Sequence, residues 1–559
     1  MTDKPTPLDR LRIDPWVFGI TATMVIGFLI WGLAAPDTLT EVTTEILDWI
    51  TGNVGWLFIL AATGFVIFAI YLACSKYAKI PLGKDGEEPE FRTVSWIAMM
   101  FSAGMGIGLM FYGSYEPLYH YAVAPPETAE HDIRAAMATT MFHWGFHPWA
   151  MYAVVGLAIA YSTYRLGRNQ LLSSVFGPLL GNSTNGAGGK IIDILAIFAT
   201  LFGTVASLGL GALQIGSGLT KAGWVDKPST WLLVAIIAIL TACFVASAVS
   251  GVAKGIQWLS NTNMVLAVIL AVFVFVVGPT VFILNLLPTS LGAYLNDITS
   301  FSARSSATVD SDGDAWLSGW TIFYWAWWVS WTPFVGMFLA KISKGRTIRE
   351  FVIGVMVVPT TVSLVWFAIF GGTAIRQQMT GVLGFDPETA ASEDSLFDVL
   401  HHMPITGISA ALVMILVAIF FVSGADSASL VMGTLSEKGA HEPSRPITVF
   451  WGSITGAVAA LLLAINGDEG LNGIKQMAII AALPFLVVMI GMCLSLYLDL
   501  RKDPLILART HHNSRIDAQI RKQAEAIGTG DLPVVGVDAE TGAVAPVSSS
   551  NGEAGGATT

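Results

Sequence analysis

The stretch that decides the reading is Trp320-Thr321-Ile322-Phe323-Tyr324-Trp325-Ala326-Trp327-Trp328-Val329-Ser330-Trp331-Thr332-Pro333-Phe334. It puts five tryptophans within twelve positions, inside an apolar run long enough to cross a membrane. Tyr324, Trp327, Trp328 and Trp331 recur at i, i+3, i+4, i+7 and so share one helix face. Aromatic faces carry negative quadrupoles, and several together hold a quaternary ammonium, which has no hydrogen to donate. The spacing therefore predicts a membrane helix that presents an aromatic cage to a methylated cation. An aromatic-rich helix packed in a bundle would show the same spacing. Tryptophan in membrane proteins concentrates at the two interfaces rather than at mid-span, however, and that favours the cage.

The rest of the chain supplies the membrane. Of 559 residues, 54% are hydrophobic and only 12% charged. Apolar runs of about 20 residues or more recur along the sequence, which defines an all-α polytopic membrane protein. The net charge of -11 lies in loops and tails, so it does not argue for a nucleic-acid partner. Cys74, Cys243 and Cys493 all fall in apolar runs and read as small buried residues. The first apolar run follows no cleavable signal pattern and reads as a retained span.

Twelve spans are expected. Six run near Pro15 to Ala35, Val54 to Cys74, Thr93 to Tyr121, Ile133 to Tyr164, Ile191 to Leu219 and Thr230 to Ser250. The others run near Ile256 to Leu286, Trp316 to Ala340, Phe351 to Gly371, Ile405 to Thr434, Ile447 to Leu463 and Gln476 to Leu500. Most Lys and Arg fall in the tails and alternate loops, which the positive-inside rule makes cytoplasmic, with both termini inside. Lys221 and Lys227 run against that trend, while the opposite loops, Asp37 to Asp48 and Asp386 to Asp398, are acidic. Within Pro288 to Asp310, Leu291, Tyr294, Leu295 and Ile298 recur at helical spacing, as in a short helix lying in the outer interface. The expected organisation is a cytoplasmic tail (1–14), a twelve-helix transporter domain (15–500), a charged cytoplasmic segment (501–527) and a disordered low-complexity tail (528–559).

The third span carries Ser102-Ala103-Gly104-Met105-Gly106-Ile107-Gly108. Glycines at every second position do not share a helix face, so close packing through small residues explains them less well than an unwound segment. Irregular backbone at that depth survives only inside protein or along a water cavity, and its freed amides and carbonyls can bind a carboxylate or a sodium ion. In the fourth span Trp149 and Tyr152 share a face, and Trp144 joins them only if the helix is distorted near Pro148. His143 and His147 have the i, i+4 spacing of metal ligands but no nearby acidic or cysteine partner, which favours packing or hydrogen bonding. Glu116 and Asp426 are carboxylates inside spans: Glu116 reads as a tie between helices, and Asp426, in a Ser/Gly/Ala segment, as a candidate for ion coordination or gating.

At these residues the chain resembles the betaine/carnitine/choline transporter family, most of all its bacterial sodium-coupled glycine betaine symporters. The likeness rests on Gly104-Met105-Gly106-Ile107-Gly108-Leu109-Met110-Phe111-Tyr112-Gly113 with Glu116-Pro117, on Trp320 through Phe338, and on Arg346-Thr347-Ile348-Arg349-Glu350. It implies a LeuT-like fold of two extra helices followed by two inverted five-helix repeats, and a tendency to form homotrimers. It implies that Trp144, Trp149, Tyr152 and Trp328 box the trimethylammonium, that Trp327 and Trp331 line the pathway, and that Phe323 and Trp325 gate its outer side. Main chain from Gly104 through Met105 to Gly108 would meet the substrate carboxylate. Some choline carriers of the family are acidic where this chain has Gly108, so zwitterionic betaines are expected over choline. One sodium site would use Thr200, Thr204 and Phe334. A second would use Ser102, Met105, Phe420 and Ser423, but Gly424 offers no side chain where the family has a second hydroxyl.

These readings converge on a secondary active symporter that imports a quaternary-ammonium or zwitterionic osmolyte, glycine betaine foremost, with sodium as coupling ion, no cofactor and no catalytic residue. The nearest alternative is the same fold carrying ectoine, proline, carnitine or choline, with proton coupling or exchange. A channel needs a continuous polar pore, which an occluding aromatic cage opposes. A membrane enzyme needs a convergent catalytic set, which the spans lack beyond the histidine pair.

Overall fold

The computed structural model describes residues 13–104, 106–250, 253–440, 442–466, 470–527, 535–537 and 544–546. The chain divides into two compact units, residues 1–496 and 497–559. The first unit is built of helices. These are α1 (Pro15–Ala34), α2 (Pro36–Cys74), α3 (Thr93–Gly104), α4 (Ile107–Ala122), α5 (Ile133–Trp144) and α6 (Phe146–Ala160), then α7 (Ala187–Lys221), α8 (Thr230–Ser250) and α9 (Ala253–Val277). There follow α10 (Thr280–Ala303), α11 (Ser311–Leu317), α12 (Phe323–Ile342), α13 (Ile348–Met379), α14 (Ser395–His401), α15 (Thr406–Ser436), α16 (Arg445–Asn466) and α17 (Gly470–Leu500).

Among the described residues, eight helices are long and apolar enough to cross a membrane unbroken: α1, α2, α7, α8, α13, α15, α16 and α17. A ninth crossing enters through α9, after which the chain turns by 110° into α10. The three expected spans that remain are interrupted. The third divides into α3 and α4, the fourth into α5 and α6 at Gly145, and the eighth passes from α11 through a π-helical turn at Ser318–Ile322 into α12. These interrupted spans hold the polar and aromatic residues singled out in the sequence, as expected where irregular backbone lines a cavity. Helix α12 packs on α6 and α7, α4 on α13, and α15 on α7, which places the breaks together.

Several boundaries differ from the sequence reading, three of them where a loop or short helix was expected. The acidic stretch Asp37 to Asp48, expected as a loop, is the first part of the 39-residue helix α2; Pro36 opens it at a position where its missing N–H costs nothing. Residues 280–286, expected at the end of the seventh span, belong to α10, because Gly278 and Pro279 end the preceding helix. The helix expected within Pro288 to Asp310 therefore begins eight residues earlier, at Thr280.

The motif Arg346 to Glu350 has a structural explanation. Thr347 and Glu350 form a capping box that starts α13, the Arg346 guanidinium lies 3.9 Å from the Trp96 ring centroid, and Arg349 Nε donates to the Ala73 carbonyl at 2.9 Å. The same segment is hydrogen-bonded to the loop after α2: Leu82 N donates to Arg346 O (2.7 Å) and Ile348 N to Ile80 O (3.0 Å). Gly345, at φ +84°, turns this ladder; a Cβ there would stand 2.5 Å from the Glu88 carbonyl. Glu87, held by the Lys84 amide and by Lys344 at 3.0 Å, has its carboxyl below the usual range. At the other end of the bundle Lys221, one of the exceptions to the charge trend, is paired with Asp394 (3.2 Å) and Asp398 (2.6 Å).

The second unit contains α18 (Pro504–Ile527), within the segment expected to be charged and helix-compatible. The tail beyond it, expected to be wholly disordered, holds two three-residue strands, Val535–Val537 and Val544–Pro546, paired antiparallel. Residues 528–534, 538–543 and 547–559 lie outside the described residues.

Candidate functional site

The breaks enclose an aromatic hollow of about 40 Å³. Its lining includes Gly106 to Leu109 from the start of α4, Trp144 at the end of α5, Pro148, Trp149 and Tyr152 of α6, and Trp327, Trp328 and Trp331 of α12. Two pairs of rings meet nearly at right angles there, Trp144 with Trp328 at 4.9 Å and 78°, and Tyr152 with Trp328 at 6.2 Å and 80°. Trp149 stands edge-on to Tyr152 at 5.3 Å, and Trp327 stacks on Trp328 at 4.9 Å and 14°. Rings set at steep angles around one space offer several faces to a single cation, which a flat stack cannot do.

Gly145 makes this arrangement possible. Trp144 and Trp149 are too far apart in sequence to share a face of one continuous helix, and the break at Gly145, rather than a kink at Pro148, brings them together. A side chain at 145 would meet the Met141 carbonyl at 2.5 Å and the Tyr294 hydroxyl at 2.6 Å. Tyr294 of α10 fills the gap and accepts a hydrogen bond from Phe146 N at 2.8 Å. Gly108 is constrained in the same way: its Cβ would lie 2.7 Å from the Trp327 ring and 2.8 Å from that of Trp144.

A buried polar hub holds the rings. Glu116 of α4 is fully buried and accepts from His143 Nδ1 (2.7 Å), Trp144 Nε1 (2.7 Å) and the Tyr324 hydroxyl. With Nδ1 of His143 donating, its Nε2 accepts from the Thr321 hydroxyl at 3.0 Å. Trp328 Nε1 donates to the His143 carbonyl at 3.0 Å. Glu116 thus ties α4, α5 and α12, as its reading as a tie anticipates. Among the described residues, Glu116, His120 and His143 are the group whose atoms could hold a metal, lying within 4.8 Å of one another. The carboxylate is already engaged by three donors, so the geometry is that of a positioning network. His147, the other member of the sequence pair, meets Ser302 at 3.2 Å and stacks on Trp325.

A second cavity, of about 160 Å³, adjoins the first through Gly106, Ile107, Ser207 and Trp331. It is bordered by Thr204 of α7, Phe334 and Phe338 of α12, Phe420, Ser423, Gly424 and Ser427 of α15, and Asn263 and Met264 of α9. Residues expected in two separate sodium sets therefore face one space. The Thr204 hydroxyl donates to Thr200 O at 2.7 Å and that of Thr200 to Ala196 O at 2.8 Å, which leaves oxygen lone pairs for a cation. Thr200 itself lies one turn behind the cavity wall. Ser423 Oγ donates to Phe420 O at 3.3 Å, and a Cβ on Gly424 would meet nothing within 4 Å. Ser102 and Gly104 fall in α3, and Met105 lies outside the described residues.

Trp325, expected at the outer gate, and Asp426, a candidate for ion coordination or gating, line neither cavity. Trp325 faces away from the hollow, packed on Phe142 at 5.1 Å and His147 at 5.3 Å. Asp426 is buried, lines neither cavity, and its Oδ2 has no partner among the described residues. Sequence reasoning missed Ser207 and Ser363, which line the hollow, and Asn263, whose buried Oδ1 has no partner among the described residues. Ser207 is a single polar residue in an apolar run, Ser363 follows Thr360 and Thr361, and Asn263 ends the polar run Ser260-Asn261-Thr262-Asn263.

A polytopic helical protein whose interrupted spans surround an aromatic hollow is built as a solute carrier rather than as an enzyme. The family model for BCCT, betaine/carnitine/choline family transporter, matches residues 16–505. The chain is 42% identical over 524 residues to the betaine/ectoine transporter LcoP of Corynebacterium glutamicum, covering 93% of this chain and 83% of the relative. It is 45% identical over 491 residues to the glycine betaine transporter OpuD of Bacillus subtilis, covering 87% of this chain and 94% of the relative. Among solved structures it is similar to a Na+-coupled sialic acid symporter in a substrate-bound outward-open state, at TM-score 0.40 and 12% identity over 74% of this chain and 80% of that one. That fit is too loose to bear on this chain. The chain belongs to the betaine/carnitine/choline transporter family.

Proposed function

We propose that the protein is a secondary active symporter that imports glycine betaine, or a closely similar zwitterionic osmolyte, together with sodium across the cytoplasmic membrane, with both termini inside. The observation that carries this reading is the meeting of Trp144, Trp149, Tyr152 and Trp328 around one hollow at helix breaks. Their faces suit the trimethylammonium. The backbone at 106–108 and the Trp327 indole N–H, which has no partner among the described residues, are donors for the carboxylate. Sodium would bind in the adjoining cavity through Thr204, Phe334 and Ser423, backed by Thr200, with Asn263 as a further oxygen. Trp331 lines both spaces, so a conformation that seats it correctly serves ion and solute together; two ligands favouring the same conformation are coupled without touching.

The test is uptake of labelled betaine into proteoliposomes with and without an inward sodium gradient. Saturable accumulation above the external concentration that requires the gradient supports the symporter. Equal accumulation without sodium points to proton coupling or exchange, and downhill, unsaturable flux rejects the carrier. Because one relative is named as a betaine/ectoine transporter, unlabelled ectoine belongs among the competitors.

A further inference from the structure

Lys475 is a cation that the proposed transport scheme does not use. It lies in the first turns of α17, near the end of the bundle where Lys221 meets the acidic residues Asp394 and Asp398. Its ammonium sits 4.8 Å from the centroid of the Phe323 ring and 6.0 Å from that of Trp320. Phe323 in turn stacks on Trp327 at 5.7 Å and 18°, and Trp327 on Trp328 at 4.9 Å and 14°. A column of near-parallel rings thus runs from the ammonium to the wall of the hollow. The carboxylates whose charge acts on Lys475 are Glu116 of the hub first and then Glu393, in the loop before α14. Glu393 is half-buried there.

We propose that Lys475 is a specificity residue of the substrate path, a tethered cation at the head of the ring column that admits quaternary-ammonium solutes bearing a carboxylate and repels those without one. The inference rests on the transporter reading above. A methylated ammonium approaching Phe323 competes for a ring face already occupied by a positive charge, in an enclosed setting where like charges repel far more than in water. A betaine carries its own carboxylate one methylene away and pairs it with Lys475, so the repulsion is offset. Choline carries a hydroxyl instead and meets the repulsion in full. The discrimination acts before the hollow is reached and is separate from the absence of a side chain at Gly108.

The experiment measures labelled betaine uptake in proteoliposomes with unlabelled choline or unlabelled betaine as competitor, and takes the ratio of their half-inhibitory concentrations. In Lys475→Gln the choline-to-betaine ratio is expected to fall about tenfold or more, while Lys475→Arg keeps it within about twofold of the unmodified protein. Glu393→Gln, which removes a negative charge that acts on Lys475, should raise the ratio several-fold. An unchanged ratio in Lys475→Gln, or an equal fall in Lys475→Arg, overturns the proposal. Should Lys475→Gln not fold, an unchanged ratio in Glu393→Gln overturns it. Failure of the unmodified protein to accumulate betaine overturns the transporter reading and this inference together. Betaine accumulation with an unmoved choline ratio overturns the inference alone.

Discussion

At the scale of single residues, the hollow is set by contacts that leave little freedom. Gly108 faces the ring edges of Trp327 and Trp144 at distances where a methyl group does not fit. An acidic residue, as some choline carriers of the family have, would fit here only with those rings displaced. Gly108→Ala is accordingly expected to raise the betaine KM about tenfold with protein levels in the membrane unchanged, since the rings must turn away from their cation-facing pose. Trp328→Leu removes the ring that meets both Trp144 and Tyr152. A desolvated cation–π contact is worth ~2 kcal/mol, so the KM should rise about 30-fold in initial-rate uptake assays. The rings of α12 were legible in the sequence because a periodic pattern of rings is rare and, at mid-span, favours a cage over plain helix packing. Ser207, Ser363 and Asn263 were not, because neither a lone serine nor a short polar run such as Ser260 to Asn263 has a period to betray which member faces the site. Trp325 belongs to the same run but not to the face shared by Tyr324, Trp327, Trp328 and Trp331, and it packs against His147.

At the scale of elements, the spans that fail as plain membrane helices are the ones that make the site. The alternating glycines announced the break between α3 and α4, and Gly145 performs the same service for α5 and α6 through a tyrosine on α10 that no local pattern reveals. A close approach by a distant helix is a tertiary fact; the sequence around 145 shows only a glycine between two aromatics. The end of α2 was displaced in the sequence reading because polar residues in a helix and in a loop look alike there, and that of α10 because its apolar start, Val281 to Leu287, reads as a continuation of the span before it. In α7, Thr204 presents its hydroxyl oxygen to the second cavity while its proton is bonded back to Thr200. Thr204→Ala removes that oxygen and leaves the helix intact, so the sodium concentration for half-maximal uptake should rise at least several-fold with little change in maximal rate. Superimposable sodium activation curves would remove Thr204 from the ion site.

At the scale of the molecule, both cavities and the network that supports them lie within residues 1–496. Ending the chain after Ile527 should therefore leave the betaine KM and maximal uptake rate within about twofold of the full protein, with uptake kinetics as the check. The all-helical membrane architecture was plain from apolar run length alone, whereas the pairing of Lys221 with Asp394 and Asp398 shows why one basic residue defied the charge trend. All of this depends on a positive charge, and not merely a bulky methyl cluster, being held by the rings of Trp144, Trp149, Tyr152 and Trp328. The most direct measurement compares the Kd of glycine betaine with that of 3,3-dimethylbutanoate, which has the same shape with a carbon in place of the cationic nitrogen, by quenching of tryptophan fluorescence in the purified protein. Binding of the neutral-headed analogue at least about tenfold weaker than betaine is the predicted result; equal affinities would contradict the account.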